Sequence, residues 1–181
     1  MADKKSSSKE WYKALEWIVA IVLAVIIAAG IRTFLFVPYE VHGASMEPTL
    51  QGDELLIVNK LIYRFDQPEY GDIIVFHTSE KRDFIKRVIG LPGDQIAIKD
   101  GKVFRNGEPL EEPYIYEPMN MNMEEEVTIP EGHIYVLGDN RNNSKDSRRI
   151  GPVKIDAVVG RADLVIWPLD RMHLLASQNK Q

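Results

Sequence analysis

Three segments of the sequence carry the side chains that could do chemistry. Ser45 lies in the stretch Gly-Ala-Ser-Met-Glu-Pro-Thr at residues 43–49, and Lys86 lies in an apolar stretch further along the chain. The third segment, residues 138–148, is a polar run that reads Gly-Asp-Asn-Arg-Asn-Asn-Ser-Lys-Asp-Ser-Arg. A serine hydroxyl becomes a useful nucleophile when a neighbouring base takes its proton. Without such a base, the ordinary role of Ser45 is to cap a turn or a helix.

Lysine is a better candidate for this base than histidine. A histidine base needs a carboxylate to orient it, and nothing in the sequence marks His42 or His133 for that role. Residues 84–89, Phe-Ile-Lys-Arg-Val-Ile, are typical of a strand, and the period of two puts Lys86 on one face and Arg87 on the other. A strand with one solvated face normally keeps its charges there, so we expect at least one of these cations to be partly buried.

Burial would prepare Lys86 for proton transfer. An arginine keeps its proton, whereas a lysine desolvated between Phe84 and Val88 can lose it. To be largely neutral near pH 8, the pKa of Lys86 must fall about two units from ~10.4, which corresponds to ~2.7 kcal/mol. The alternative is that the ammonium group reaches water along the edge of the sheet. The run at 138–148 has its own alternative, a solvated turn or a weak cation loop, although it lacks the pattern of a helix-loop-helix calcium site.

An apolar run of membrane length precedes these segments. Residues 17–37 are interrupted only by one arginine and one threonine, and their number is close to the ~20 that span ~30 Å of hydrocarbon. The link from Val37 to Ser45 can reach at most about 29 Å, so Ser45 would act near a membrane surface. A cleaved secretory signal is the alternative, because lysines precede the run and Ala-Ala-Gly lies at 28–30.

The charge pattern predicts the topology of the chain. Lysines before the apolar run place the N-terminus in the cytoplasm by the positive-inside rule. We therefore predict a cytoplasmic tail at residues 1–15, a transmembrane anchor at 16–37 and an extracytoplasmic domain at 38–181. The first ten residues are polar and low in complexity, so we expect them to be disordered. The part beyond the anchor is long enough for one domain with a core of its own.

The extracytoplasmic part is predicted to be mainly β. Its apolar residues occur in short runs that are rich in branched and aromatic side chains. The predicted strands cover residues 55–58, 73–76, 84–89, 96–98, 102–104, 134–137 and 164–167. Hairpin turns are predicted at Asp100-Gly101 and Asn106-Gly107. Residues 111–126 predict a surface loop with a solvated charge run, although its three methionines could instead line a contact surface.

Composition excludes several other classes of function. The 22 Lys and Arg against 27 Asp and Glu give a pI near 5.4 and no basic stripe, so nucleic acid is not expected as a partner. Without cysteine, the chain has no disulfide and no thiolate nucleophile. The four histidines are scattered along the sequence, so no metal site is predicted.

Four motifs in order resemble those of the bacterial type I signal peptidases. They are Ser-Met-Glu-Pro-Thr at 45–49, Gly-Asp-Ile-Ile-Val-Phe at 71–76, Lys-Arg-Val-Ile-Gly-Leu-Pro-Gly-Asp at 86–94, and the polar run at 138–148. The anchor before them matches too, and the resemblance covers most of the chain from Trp17 to Trp167. The compact length and single anchor resemble the short form typical of Gram-positive bacteria. The resemblance implies a β-rich catalytic domain with an apolar surface close to the membrane.

The resemblance also implies roles for individual residues. Ser45 would be the nucleophile and Lys86 its general base in a Ser-Lys dyad, with Met46 beside them near the substrate pocket. The supporting residues would be Ser144, which hydrogen-bonds the lysine amine, Asp146 acting through Arg148, and Asp139 paired with Arg87. Gly43 departs from the longer enzymes, some of which carry a serine there that helps to hold the oxyanion. The backbone N–H of Ser45 and another donor would then have to do so.

The activity implied by the resemblance is the removal of N-terminal signal peptides from exported preproteins at the cell membrane. Cleavage would follow small residues, of the Ala-x-Ala type, and would need no cofactor. Membrane lipid would be the other partner. Two alternatives stay open. A self-cleaving Ser-Lys protease would need an effector domain before the catalytic one, and a membrane-anchored β module would use residues 138–148 as a contact surface for a partner.

Overall fold

The computed structural model describes residues 4–121 and 126–175, which fall into two compact units that divide after Phe36. The first unit contains helix α1, Lys4–Phe34. Within this helix, Trp11–Gly30 has a mean hydropathy of 2.1 and is long and apolar enough to cross a membrane. The predicted N-terminal apolar helix is therefore present.

Two boundaries of the N-terminal segment differ from those expected. The helix begins at Lys4, so the prediction of a disordered stretch is wrong for residues 4–10. Adding a residue to an existing helix costs much less than nucleating one, and the long apolar segment supplies the nucleus. The predicted anchor ran to residue 37, but strand β1, Phe36–Glu40, already begins before that position. Phe and Val suit a strand as well as a membrane, so apolar character alone does not mark this boundary.

The second unit is mainly β, as predicted. Its further strands are β2 Leu55–Asn59, β3 Ile73–His77, β4 Asp83–Gly90, β5 Gln95–Lys99, β6 Lys102–Arg105, β7 Glu108–Pro109, β8 Val127–Thr128, β9 His133–Leu137, β10 Val153–Lys154, β11 Val158–Trp167 and β12 His173–Leu174. Short helices are α2 Ile62–Phe65 and α3 Ser147–Ile150, with single 3-10 turns at Arg141–Asn143, Ile155–Ala157 and Leu169–Arg171. Each predicted strand is present, although β11 begins well before the predicted position.

The strands form two antiparallel sheets. The larger has the order β1-β2-β11-β3-β4-β9-β10, with β12 also paired to β11, and the smaller has the order β7-β6-β5-β8. Both predicted hairpin turns are confirmed. Asp100 and Gly101 join β5 to β6, Asn106 and Gly107 join β6 to β7, and all four residues have positive φ. This backbone matches the right-handed twist of the flanking strands.

The two sheets are joined by a shared apolar core. Buried side chains from β4 and β9 of the larger sheet pack in one cluster with those from β5 and β6 of the smaller sheet. The members of this cluster include Ile89, Tyr135, Leu137, Ile96, Ile98 and Val103. Met119 belongs to the same cluster and Tyr114 is also buried, so the prediction of a purely surface loop is wrong for this part of residues 111–126. Met121 is exposed, and Met123 lies outside the described residues.

Candidate active site

Ser45 lies in an irregular turn between β1 and β2. Met46 and Leu50 anchor the turn, because both side chains are buried in the core beside β2 and β11. The backbone N–H of Leu50 donates to the carbonyl oxygen of Met46 at 2.9 Å, which closes the turn. Gly43 opens it with a φ of +84°, in the left-handed region that favours glycine. Met46 was predicted to lie beside the substrate pocket, and it lines the cleft. Because its side chain is buried in the core, it also fixes the backbone next to Ser45.

Lys86 meets Ser45 from strand β4. Its Nζ lies 2.8 Å from Ser45 Oγ and donates to the carbonyl oxygen of Ile85 at 2.7 Å. The same nitrogen lies 5.3 Å from the centroid of the Phe84 ring. Lys86 is 3 % exposed and the neighbouring Arg87 only 1 % exposed. The expectation that at least one of these cations is buried is therefore confirmed, and it holds for both.

Burial changes the protonation of Lys86. Desolvation lowers the pKa of its amine from 10.5 to about 8, although the negative charges of Asp146 and Asp139 oppose the change. A buried ammonium group loses the water that stabilises its charge, so the neutral amine gains relative to it. The amine beside Ser45 is thus substantially neutral in mildly alkaline solution, the form in which it can accept a proton.

Arg87 and Asp139 form a buried ion pair. Arg87 Nε and Nη2 donate to the two carboxylate oxygens of Asp139 at 2.9 and 2.7 Å, and neither side chain is more than 1 % exposed. The Thr49 hydroxyl donates to the same carboxylate, and Arg87 Nη1 donates to the carbonyl oxygen of Gly71 at 3.0 Å. The pair thus ties the site loop, which we define as residues 138–148, to β4 and to the turn that carries Ser45.

Asp146 and Arg148 form a second ion pair within the site loop. Arg148 Nε and Nη2 each donate to Asp146 at 2.7 Å, and the backbone N–H of Gly138 donates to the same carboxylate at 3.0 Å. Burial by itself raises the pKa of Asp146, but the hydrogen bonds and charge of Arg148 outweigh it and the net pKa is lowered. Asp146 also caps α3 by accepting from the backbone N–H of Arg148. The carboxylate is therefore ionised and joins both ends of the site loop.

Ser144 lies in the site, but without the contact that was predicted. Its hydroxyl oxygen is buried and has no hydrogen-bond partner within normal distance among the described residues, although it helps to lower the pKa of Asp146. The predicted hydrogen bond between Ser144 and Lys86 is not formed, and the lysine amine contacts Ser45 and the carbonyl oxygen of Ile85. A Cβ at Gly138 would clash with the Ser144 hydroxyl and with the Ser45 carbonyl oxygen, so only glycine fits between them.

Asn140 is a site residue to which sequence analysis gave no role. Its backbone N–H donates to the carbonyl oxygen of Ser45 at 3.1 Å, and its side-chain amide donates to that of Ala44 at 3.0 Å. Thr49, described above, was also missed. Both residues stand in the motifs identified in the sequence, but their spacing does not indicate which group each of them contacts. The site loop therefore holds the Ser45 turn directly.

A cleft of about 740 Å³ opens onto Ser45 and Lys86. Its walls combine apolar side chains with cations, and they include Tyr39, Val41, Met46, Phe84, Ile85, Arg82 and Lys145. The strand β4 pairs with β3 along Asp83–Arg87, whereas its pairing with β9 begins only at Arg87. Between residues 83 and 86, one edge of β4 therefore has no partner strand among the described residues.

The site offers no cluster of metal ligands. Among residues 4–121 and 126–175, no three His, Asp or Glu side chains lie together in a way that could hold a metal ion. The groups that meet in the cleft are a hydroxyl and an amine with a lowered pKa, which together can transfer an acyl group through a covalent intermediate.

Comparison with known proteins gives concordant matches. Residues 14–167 match the family model described as signal peptidase, peptidase S26. Signal peptidase I of Bacillus caldolyticus is 43 % identical over 179 residues, which cover 92 % of this chain and 94 % of that protein. Signal peptidase I of Leptolyngbya laminosa is 44 % identical over 167 residues, which cover 87 % and 82 %. A solved signal peptidase I from Enterococcus faecalis is 34 % identical, and the match covers 53 % of this chain and 97 % of that one with a TM-score of 0.46.

Proposed function

Because this chain belongs to the S26 family of signal peptidases, we propose that it removes signal peptides from exported preproteins, with Ser45 as nucleophile and Lys86 as general base. The observation that carries the proposal is the 2.8 Å contact between Lys86 Nζ and Ser45 Oγ in a largely buried site. A nucleophile within hydrogen-bond reach of a base is the arrangement that covalent catalysis requires.

In the first step, the neutral amine of Lys86 takes the hydroxyl proton of Ser45 as Oγ attacks the carbonyl carbon of the scissile bond. The lysine becomes an ammonium ion and the substrate carbonyl becomes a tetrahedral oxyanion. The pKa of about 8 supports this role, because a base with a pKa near the working pH is both available and strong enough. The charges of Asp146 and Asp139 stabilise the ammonium that forms.

The oxyanion needs hydrogen-bond donors aimed at it. The backbone N–H of Ser45 donates to no acceptor among the described residues, so it is available to the substrate. Gly43 has no side chain to contribute, and backbone N–H groups fixed in place are effective donors for such an oxygen. The rigidity of the Ser45 turn therefore matters for this step, since the donor belongs to the same residue as the nucleophile.

Collapse of the tetrahedral intermediate breaks the peptide bond. The ammonium of Lys86 gives its proton to the leaving amine, which departs as the N-terminus of the mature protein, and the signal peptide stays esterified to Ser45. Neutral Lys86 then takes a proton from water as the water oxygen attacks the ester carbonyl. The second collapse returns the proton to Ser45 and releases the signal peptide.

The unpaired edge of β4 suggests how the substrate lies. An extended peptide can add to this edge as a further strand, which satisfies its backbone and directs alternate side chains into the cleft. The cleft beside Ser45 offers apolar space lined by Met46, Phe84 and Ile85. We propose that this space accepts only small residues at the first and third positions before the scissile bond, the Ala-x-Ala type.

The remaining site residues are proposed to support the dyad rather than to react. The Arg87–Asp139 and Asp146–Arg148 pairs hold the site loop against the turn that carries Ser45. The buried Ser144 hydroxyl helps to keep the Asp146 carboxylate ionised.

The N-terminal apolar helix supports a location at the cell membrane. We propose that the helix crosses the membrane once, with the N-terminal lysines in the cytoplasm and the domain from residue 38 onward outside. The link from Val37 to Ser45 can reach at most about 29 Å, so we propose that Ser45 acts near the membrane surface.

Cleavage of a secretory precursor in lipid vesicles tests the function. Purified protein is expected to cut after an Ala-x-Ala site, with the new N-terminus read by mass spectrometry. A precursor with Trp in place of the last Ala is expected to stay intact. Equal cleavage of both precursors would contradict the proposed specificity, and an intact Ala-x-Ala precursor with the folded full-length chain would contradict the function.

A further inference from the structure

A buried ion pair outside the proposed catalytic set connects the site loop to the segment 110–121, which we call the strap. Arg141 Nη1 and Nη2 donate to the two carboxylate oxygens of Glu112 at 2.8 and 2.6 Å. The side chains of Arg141 and Glu112 are 0 % and 5 % exposed. The sequence placed Glu112 in a solvated loop, so its burial against an arginine of the site loop is unexpected.

Arg141 reaches back to its own loop with its third nitrogen. Its Nε donates to the carbonyl oxygen of Gly138 at 3.0 Å. Burial by itself lowers the pKa of Arg141, but the hydrogen bonds and charge of Glu112 more than offset this and the net pKa is raised. A buried arginine without its carboxylate would carry an uncompensated charge. Glu112 is therefore what allows the guanidinium to stay in contact with Gly138.

Tyr114 joins this pair to the ion pair of the site. Its ring lies 4.0 Å from the guanidinium carbon of Arg87 and 6.0 Å from that of Arg141, and its hydroxyl donates to Glu112 at 3.1 Å. The two arginines hydrogen-bond to adjacent residues: Arg87 donates to the side chain of Asp139, and Arg141 donates to the backbone carbonyl of Gly138. The strap thus packs against both arginines that fix the start of the site loop.

The start of the site loop in turn holds the backbone of Ser45. Asn140 directly follows Gly138 and Asp139 in the chain, and it donates to the carbonyl oxygens of Ser45 and Ala44. We propose that Glu112 is a positioning residue for the peptidase reaction, which through Arg141 and Asn140 keeps Ser45 within reach of Lys86. This inference rests on the proposed function, because it assigns Glu112 to the same reaction.

Steady-state cleavage of a precursor in vesicles by the full-length chain tests the proposal. The main variant is Glu112→Gln, which keeps the shape of the side chain but removes its negative charge. It also places an amide N–H, which cannot accept a hydrogen bond, opposite the arginine. We expect kcat to fall about tenfold or more with KM changed less than about twofold, since small displacements of reacting groups are costly. Glu112→Asp, which keeps the charge, is expected to recover part of the lost kcat. The matched control is Glu111→Gln, an exposed neighbour that is expected to behave as wild type.

A double-mutant cycle separates positioning from a general loss of stability. Asn140→Ala removes the side-chain hydrogen bond to the Ala44 carbonyl oxygen and keeps the backbone hydrogen bond to Ser45. If Glu112 acts through Asn140, the Glu112→Gln/Asn140→Ala variant will lose less kcat than the product of the two single losses, because both changes loosen the same turn. Independent losses that multiply would overturn the proposal. So would a folded Glu112→Gln variant with the kcat of wild type. If Glu112→Gln does not fold, the same cycle with Glu112→Asp decides in the same way.

Failure of this inference can be told apart from failure of the proposed function. Ser45→Ala is run in the same assay, and continued cleavage by that variant would overturn the function whatever Glu112 does. Loss of cleavage in Ser45→Ala together with normal kcat in Glu112→Gln would overturn the positioning role alone.

Discussion

The Nζ atom of Lys86 lies 2.8 Å from Oγ of Ser45, although the two residues are 41 positions apart in the chain. Lys86 is fixed in the middle of β4, and Ser45 is fixed by a turn whose neighbouring side chain, Met46, is buried in the core. The contact therefore depends on the packing of the whole domain rather than on local sequence. Four consequences can be measured.

Cleavage is expected to depend on pH through the amine of Lys86. Because the proposed base is the neutral amine, whose pKa is about 8, kcat/KM should fall about tenfold per pH unit below that value and level off above it. His42 lines the same cleft and offers a control, because His42→Asn should leave the midpoint unchanged. A midpoint near pH 6.5 that His42→Asn abolishes would instead indicate a histidine base.

Burial of Lys86 should also cost stability. Below pH 8 the amine is charged in both the folded and the unfolded chain, and the lowered folded pKa makes folding less favourable by about 3 kcal/mol. This cost disappears as the pH rises from about 8 to 10.5, where the unfolded amine also becomes neutral. Lys86→Met should therefore raise the free energy of unfolding at pH 7, and the gain should shrink above pH 8. Lys81→Met, at an exposed position, is the control in chemical denaturation and should change the free energy of unfolding little at pH 7.

Removal of one partner from the Arg87–Asp139 pair should be strongly destabilising. Asp139→Asn leaves the Arg87 guanidinium buried beside a neutral group, and such a loss typically costs about 3–5 kcal/mol. The partly exposed pair of Arg161 and Asp163 provides the comparison, since Asp163→Asn should cost about 0–1 kcal/mol. Urea unfolding of both variants measures the difference. Equal losses in the free energy of unfolding would contradict the expectation that an unpaired buried charge costs more than a partly exposed one.

Gly138 should tolerate no side chain. In Gly138→Ala the new methyl group would clash with the Ser144 hydroxyl and with the Ser45 carbonyl oxygen, so Ser45, the proposed nucleophile, must shift. A displacement near 1 Å at reacting groups can reduce kcat about a hundredfold. The control is Gly52→Ala, where the nearest atom is 3.9 Å from the added carbon. Full cleavage activity in Gly138→Ala would contradict the close packing of the site loop against the Ser45 turn.

The sequence predicts the β framework well because its signals are local. The period of two in residues 84–89 places Lys86 and Arg87 on opposite faces, and the Asp-Gly and Asn-Gly pairs mark both hairpin turns. The approach of Lys86 to Ser45 is a different matter. This contact depends on how the Ser45 turn packs on β2 and β11. It can therefore be predicted from the sequence only through the resemblance to a family.

Other parts of the site have no local signal. Glu112 stands in an acidic stretch that is typical of a solvent-exposed loop. Its burial becomes favourable only because Arg141 forms an ion pair with it in the folded chain. A hydrogen bond from Ser144 to Lys86 was predicted from the resemblance, but the amine of Lys86 contacts Ser45 and the carbonyl oxygen of Ile85 and not Ser144. The start of β1 is hidden because Phe36 and Val37 continue the apolar run of the preceding helix.

The most direct test of the Ser45–Lys86 dyad compares cleavage of one precursor by wild type, Ser45→Ala and Lys86→Ala, each as the full-length chain in vesicles and with its folding checked by circular dichroism. Lys81→Ala, another lysine that lines the cleft, is the matched control. We expect cleavage by wild type and Lys81→Ala to release the same mature N-terminus, and no product from Ser45→Ala or Lys86→Ala. Wild-type cleavage rates in either dyad variant would contradict the account and require another nucleophile or base.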